Sequence, residues 1–177
     1  LATGTYSDTI TFTNGYNGSG NTTRAASLLI TTGPPTAPNA PVLASLAAFS
    51  SGGSKTVIWP AVGNATGYTI QIATDAGFTQ NVVSQSVTSP TATFGNLTHG
   101  TTYYYRVLAT NSIGSSGYSN VVSSTQDQVA PVVAITSPAS GTSQAGNTLV
   151  VSGTASDALS GISTVKVNNV AATVNGG

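Results

Sequence analysis

Apolar residues in this chain recur at every second position, and no stretch of ten or more residues carries a helical 3.6-residue period with caps. In the segment KTVIWP, alternation places Val57 and Trp59 on one face. GYTIQIATD points Tyr68, Ile70 and Ile72 inward and Thr69 and Gln71 outward. TTYYYRVLATN points Tyr103, Tyr105, Val107 and Ala109 inward and Tyr104, Arg106 and Leu108 outward, and GYSNVVSST closes the series. A period of two is that of a half-buried strand. Turn residues at Gly63-Asn64, Asp75-Ala76-Gly77, Ser89-Pro90 and Gly114–Gly117 separate these runs. The fold class is therefore all-β, and about seven short strands over ~90 residues fit a two-sheet sandwich.

Charge excludes several functions. Only 5% of the 177 residues are charged, against a usual ~25%. The acids are Asp8, Asp75, Asp127 and Asp157, the bases Arg24, Lys55, Arg106 and Lys166, and the net charge is zero. Nucleic acid and anionic lipid both select a basic face, which this composition does not supply. Absence of Cys removes disulfides, thiol chemistry and Cys-ligated zinc. No apolar run approaches the ~18 residues of a membrane-spanning helix; the longest, Val129–Ile135, is interrupted by Pro131 and reads as a strand.

The same scarcity argues against catalysis. Glycoside hydrolysis needs two carboxylates about one cleft, and the four Asp fall in four different segments. A Ser-His-Asp triad would have to use His99, the only histidine, which reads as an exposed turn residue. A phosphate cradle needs a helix to open. No catalytic, cofactor-binding or metal-ligating residue is assigned, and no cofactor is expected.

Two proline-bearing joints, Thr31–Pro41 and Thr125–Pro131, divide the chain. Proline fixes φ and removes a ladder donor, so the first, with four prolines, reads as a semi-rigid extended linker. Between the joints, Trp59 in an early strand, Tyr68 in the next, and LTHGTTYYYRVLATNSIGSSGYSN resemble a fibronectin type III domain over about residues 35–127. The family's late-strand signature is matched by Leu97, Gly100, Tyr103 and Val107, then Asn111 and Gly114; His99 stands where the family usually has Pro. The resemblance implies that the Tyr103 hydroxyl bonds back to the corner before it and that Trp59 packs in the core. The competing role for Trp59 is a sugar-stacking platform. The loop Asn111–Gly117 carries no Arg-Gly-Asp tripeptide. Asn-x-Ser/Thr sequons occur at Asn17, Asn21, Asn64 and Asn96 and matter only where the source glycosylates secreted protein.

LATGTYSDTI parallels LTHGTTYYYRV in placing Gly-Thr and then Tyr before an alternating strand. Residues 1–33 resemble the closing strands of a BACON-type Ig-like domain, with Tyr6, Asp8, Ile10 and Phe12 on one face and NGYNGSGNTT as the hairpin loop. Residues 129–177 resemble the opening of a bacterial Ig-like or cadherin-like module, with strands at Val132–Ile135, Thr148–Gly153 and Ile162–Val167 and a hairpin at Asn168-Asn169. In cadherin-like modules, positions like Asp127 and Asp157 serve interdomain calcium, but no DxD or DxNDN cluster accompanies them here; the alternative for Asp157 is a turn residue bonding its own backbone. The expected organisation is one whole sandwich, 34–128, between two partial ones, 1–33 and 129–177. A lone two-stranded ribbon is marginal in water, so the flanking segments are expected to be completed by further strands of a longer chain or of a neighbouring subunit, burying Tyr6, Ile10 and Phe12.

These readings point to a non-catalytic structural or adhesive segment of an extracellular bacterial surface or filament protein. The alternatives are accessory carbohydrate-binding or spacer modules of a secreted hydrolase, and Ig-like decoration of a phage virion. Expected partners are neighbouring β-sandwich modules or subunits, with surface polysaccharide as a further one; nucleic acid and membrane insertion are not expected. Tyr104, Arg106 and Leu108, beside Thr69 and Gln71, form a semi-apolar outer face suited to contact with a neighbouring module or subunit.

Overall fold

A computed structural model of the protein describes residues 4–13, 15–17, 20, 22–30, 35–143, 145, 146 and 148–173. Leu1, Asn14, Asn21, residues 31–34 of the first proline joint and Gly176-Gly177 lie outside them. Among the described residues every regular element is a strand. The chain divides into two compact units, Leu1–Thr36 and Ala37–Gly177.

The first unit is a ribbon of β1 (Gly4–Phe12) and β2 (Thr22–Ile30), antiparallel in unbroken register from Gly4↔Ile30 to Phe12↔Thr22. Period-two geometry puts Tyr6, Asp8, Ile10 and Phe12 on one face, with Arg24, Ala26 and Leu28 across from them. The shared face is as expected. Tyr6, Ile10 and Phe12 are 40, 50 and 56% exposed, because two strands make one layer and a core needs two.

The second unit opens with the sandwich. Its strands are β3 (Phe49–Ser51), β4 (Lys55–Ile58), β5 (Gly67–Ala73), β6 (Val83–Val87), β7 (Thr91–Phe94), β8 (Thr102–Thr110) and β9 (Val122–Asp127). Five form one sheet in the order β3-β9-β8-β5-β6, and β4 and β7 form the other. The centre is the pair β5–β8, where Tyr68↔Ala109, Ile70↔Val107 and Ile72↔Tyr105 lie opposite each other, all buried. Their inner faces meet Val57, Ala92 and Phe94 of the smaller sheet, with Trp59 and Leu97 from the flanking turns. Trp59 is 3% exposed and stands edge-on to Tyr68 with ring centroids 5.5 Å apart. Phe94 and Tyr105 close the other end at 6.0 Å.

The corner before β8 is built as the resemblance to a fibronectin type III domain implies. Gly100 takes φ +74°, a left-handed value that glycine adopts without steric cost, and the Tyr103 hydroxyl accepts the Thr98 amide at 3.0 Å. Tyr103→Phe keeps the ring and loses that bond, so it is expected to cost about 1 kcal/mol in equilibrium urea unfolding. No change in midpoint would show that the hydroxyl is idle. A second latch, not anticipated, joins the Val62 amide to the Tyr68 hydroxyl at 2.9 Å.

Two features of the sandwich carry no local sequence signal. The first is the parallel pairing of β3 with β9, Phe49↔Thr125 to Ser51↔Asp127. Ahead of it, the Asn120 side chain brackets Leu43, accepting its N–H at 2.8 Å and donating to its C=O at 2.9 Å. The second is the stretch after the β8 turn, where GYSNVVSST was expected to run as a strand. β9 begins only at Val122, and Ser116 and Ser119 replace the missing ladder. Their amides donate to the Ala109 and Val107 carbonyls, both at 2.8 Å. Their hydroxyls accept the Ala109 and Val107 amides at 2.9 and 3.1 Å.

Beyond the second joint lie β10 (Val132–Ser137), β11 (Ser152–Ser156), β12 (Lys166–Val167) and β13 (Val170–Ala171). The Asn168-Asn169 hairpin is present, with both residues at positive φ (47° and 66°), as a tight two-residue connection favours. The strands expected at Thr148–Gly153 and Ile162–Val167 are corrected. The first is displaced to Ser152–Ser156, where Ile135↔Gly153 is followed by an irregularity at Ser137↔Ser152. The second is confined to its last two residues. Gly153 allows the close approach, since a Cβ there would lie 2.4 Å from the Ala134 carbonyl oxygen. Gly153→Ala is therefore expected to part β10 from β11, seen as loss of amide-exchange protection in both strands while the sandwich keeps its own. Retained protection in β11 would show that the backbone can yield.

Candidate functional site

The position most open to a functional reading is the joint after β9, where side chains from three segments converge. Asp127, 7% exposed, ends β9. Its Oδ1 accepts the Val129 amide at 3.1 Å and its Oδ2 the Ser160 amide at 3.2 Å. Ser160 belongs to the segment after the joint, so one carboxylate ties β9 to a turn 33 residues later. The same Ser160 amide is shared with Asp157 Oδ1 at 2.8 Å, which also accepts the Leu159 and Gly161 amides and the Ser160 hydroxyl. Asp157 is thus the turn residue of its alternative reading. The two Asp that invited a calcium reading do meet, but over N–H donors, the polarity that suits an anion. Among the described residues no group of three or more His, Cys, Asp or Glu side chains could hold a metal ion.

His99 is the residue that reading by sequence undervalued. Its side chain is 39% exposed, yet Nδ1 lies 3.5 Å from Asp127 Oδ1 and accepts the Gln128 amide at 3.1 Å. The corner is further held by Gln126, whose carbonyl takes the Gly100 amide at 2.8 Å and whose amide reaches the Thr101 carbonyl at 2.9 Å. Gln126 is itself 1% exposed, and its Nε2 donates to the Ser51 and Gly52 carbonyls. Asp127 is held below the usual carboxylate range, first by the Ser160 hydroxyl and next by the Val129 amide. Partial burial opposes this, and the Ser160 amide and His99 add to it.

The outer face of the larger sheet holds the second cluster. Arg106 lies flat between two rings, its Cζ 4.0 Å from the centroids of both Phe78 and Tyr118. Its Nε donates to Gln71 Oε1 at 2.8 Å, and Gln71 Nε2 donates in turn to Ser84 at 3.0 Å. Phe78 occupies a left-handed φ of 56°, uncommon for an aromatic residue. Asp75 organises that turn by accepting the Thr79 and Gln80 amides and the Thr79 hydroxyl. These bonds, the Gln80 amide first, hold its carboxyl below the ordinary range. Among the described residues Arg106 has no ion pair.

Trp59 is a core residue, so no indole face is available for a sugar. An open cleft of about 510 Å³ lies between the sheets near Thr74, Asn81, Phe94, Leu97 and Tyr103, but the Tyr103 hydroxyl is already bonded and no charged group lines it. The sequon residues Asn64 and Asn96 sit at exposed turns with φ of 59° and 56°.

With this geometry in view, comparison with known proteins places the segments in families. Residues 40–125 match the family model of the fibronectin type III domain, and residues 131–175 match that of a bacterial Ig domain. The chain is thus all-β, carrying a fibronectin type III sandwich followed by a bacterial Ig-like segment. No curated protein matches it. Among solved structures, a domain named FN3tt is 24% identical, covering 54% of this chain and all of its own, with TM-score 0.44. A Fn3-like protein from Clostridium thermocellum is 21% identical over 54% of this chain and 97% of its own, with TM-score 0.40. The fn3 domain of the human collagen alpha-1(XX) chain is 17% identical over 58% of this chain and 94% of its own, with TM-score 0.42. Domains of these two kinds suggest a structural or spacer role, and they are generally non-catalytic.

Proposed function

We propose that the chain is a non-catalytic structural and adhesive segment of an extracellular bacterial surface or filament protein, built of β-sandwich modules with boundaries at 1–33, 34–128 and 129–177. The observation that carries this reading is the joint. A spacer must pass its direction from one module to the next, and Asp127 bonds at once to its own strand end and to the Ser160 turn of the following segment. Low charge and abundant hydroxyl and amide side chains suit a surface that meets its own kind. Immunogold labelling of intact source cells with antibody to the chain tests the proposal. Label on the cell exterior or along filaments is expected, and label confined to the cell interior would overturn it.

A further inference from the structure

We propose that the outer face of β8 around Arg106 docks the β1 face of a second copy of this chain, with Asp8 of one copy on Arg106 of the next. This rests on the reading of the chain as an assembling structural segment, and it names the partner and the residues.

The argument begins with the charges. Three of the four carboxylates are occupied: Asp75, Asp127 and Asp157 each accept two or more N–H bonds within their own turns or joint. Among the described residues Asp8 accepts only the neighbouring Thr9 amide, at 2.7 Å. It is exposed, in the middle of β1, between Tyr6 and Ile10 on the same face. Arg106 is its counterpart. Its guanidinium is fixed by two rings and one side-chain bond, and those contacts leave the two terminal nitrogens to pair with an anion. A planar guanidinium held in one orientation suits a carboxylate, which it meets through two parallel bonds.

The flanking residues match as well. Along β8 the outward order is Tyr104, Arg106, Leu108, and along β1 it is Tyr6, Asp8, Ile10. Each is an apolar–charged–apolar triplet at alternate positions, so the spacing is ~7 Å in both. Laid face to face, the two strands place carboxylate on guanidinium and apolar side chains on either side. Tyr and Arg are both enriched at protein interfaces relative to the rest of the surface. A pyranose ring is a poorer occupant. The Tyr118 ring already carries the guanidinium on one face, and Phe78 is 8% exposed. The two surfaces of this contact differ, so it is heterologous and propagates from copy to copy.

Analytical ultracentrifugation of the 177-residue chain up to roughly 1 mM, where weak contacts populate, tests the proposal. Unmodified protein is expected to show an average mass rising at least twofold with concentration, and Asp8→Lys and Arg106→Glu variants are each expected to stay at monomer mass. An equimolar mixture of the two variants brings an intact Asp8 to an intact Arg106 and also sets the two reversed charges opposite each other, so its average mass should again rise at least twofold with concentration. Circular dichroism of Arg106→Glu checks that the sandwich survives loss of the stack, and Leu108→Asp, which keeps the stack, should give the same monomer. Unmodified protein that stays monomeric, self-association indifferent to Asp8→Lys, or a mixture that fails to double would each overturn the docking. So would monomeric protein retained by a uronic-acid polymer through Arg106. Cell-surface label with monomeric protein would remove the docking and leave the proposed function standing, whereas interior label would remove that function whatever the assembly.

Discussion

Trp59→Ala is expected to lower the unfolding free energy of the sandwich by ~3–5 kcal/mol, the range for removing a buried large aromatic. The indole is 3% exposed and shares the core with Val57, Tyr68, Ala92 and Val107, so truncation opens a void that both sheets line. Its edge contact with Tyr68 is lost too, and such aromatic pairs contribute beyond their area. Trp59→Phe should be much milder, at ~1–2 kcal/mol. Most of the volume remains, and the indole Nε1 has no hydrogen-bond partner among the described residues, so no bond to the protein is forfeited. Urea denaturation of both variants decides the matter; equal losses would mean that the N–H, and not the packing, is what the site requires.

Acid is expected to open the joint, and Asp127→Asn to leave it permanently weakened. Hydrogen bonds from Ser160 and Val129 hold the Asp127 carboxyl below its ordinary value of 3.8 in the folded chain. A depressed carboxylate contributes stability that is fully present above the unfolded pKa and is lost as pH falls through the lower folded one. The contact with Ser160 should therefore be intact from neutral pH to about pH 4 and disappear below it. The Ser160 amide resonance reports this directly. In the parent it should move with a midpoint below 3.8, and in Asp127→Asn it should lose its Asp127 component. Asp157 shares the same amide, so an Asp157→Asn variant separates the two carboxylates. A Ser160 shift that survives Asp127→Asn unchanged would assign the effect to Asp157 and remove Asp127 from the joint.

What could be read from the amino acids alone follows the range of the interaction. Alternation in β5 and β8 is a local signal strong enough to orient Ile70, Ile72, Tyr105 and Val107 correctly, and the corner bond is implied by the resemblance to a fibronectin type III domain. The joint is different. His99, Asp127 and Ser160 are separated by about thirty residues at each step, and nothing in HG, QDQ or LSG announces that they meet. Parallel pairing of β3 on β9 depends on partners some 75 residues apart, and the bracket on Leu43 comes from Asn120. Ser116 and Ser119 mislead for another reason. Their side chains imitate backbone acceptors, so the segment hydrogen-bonds like a strand edge without strand periodicity. In β10–β11 the displacement follows a glycine contact, which no hydrophobic pattern encodes.

The parallel placement of β3 beside β9 bears on how the sandwich behaves under load. These are its first and last strands, and they run the same way. Tension applied through the two ends therefore pulls them past each other along their length. Their backbone bonds, the Thr125 amide to the Ala48 carbonyl at 2.8 Å among them, and the Asn120 bracket then resist in shear and must fail together, whereas bonds at a hairpin end peel one at a time. Rupture under force is governed by the unfolding barrier rather than by equilibrium stability. A short, modestly stabilising strand pair can thus set the pulling force that the whole sandwich withstands.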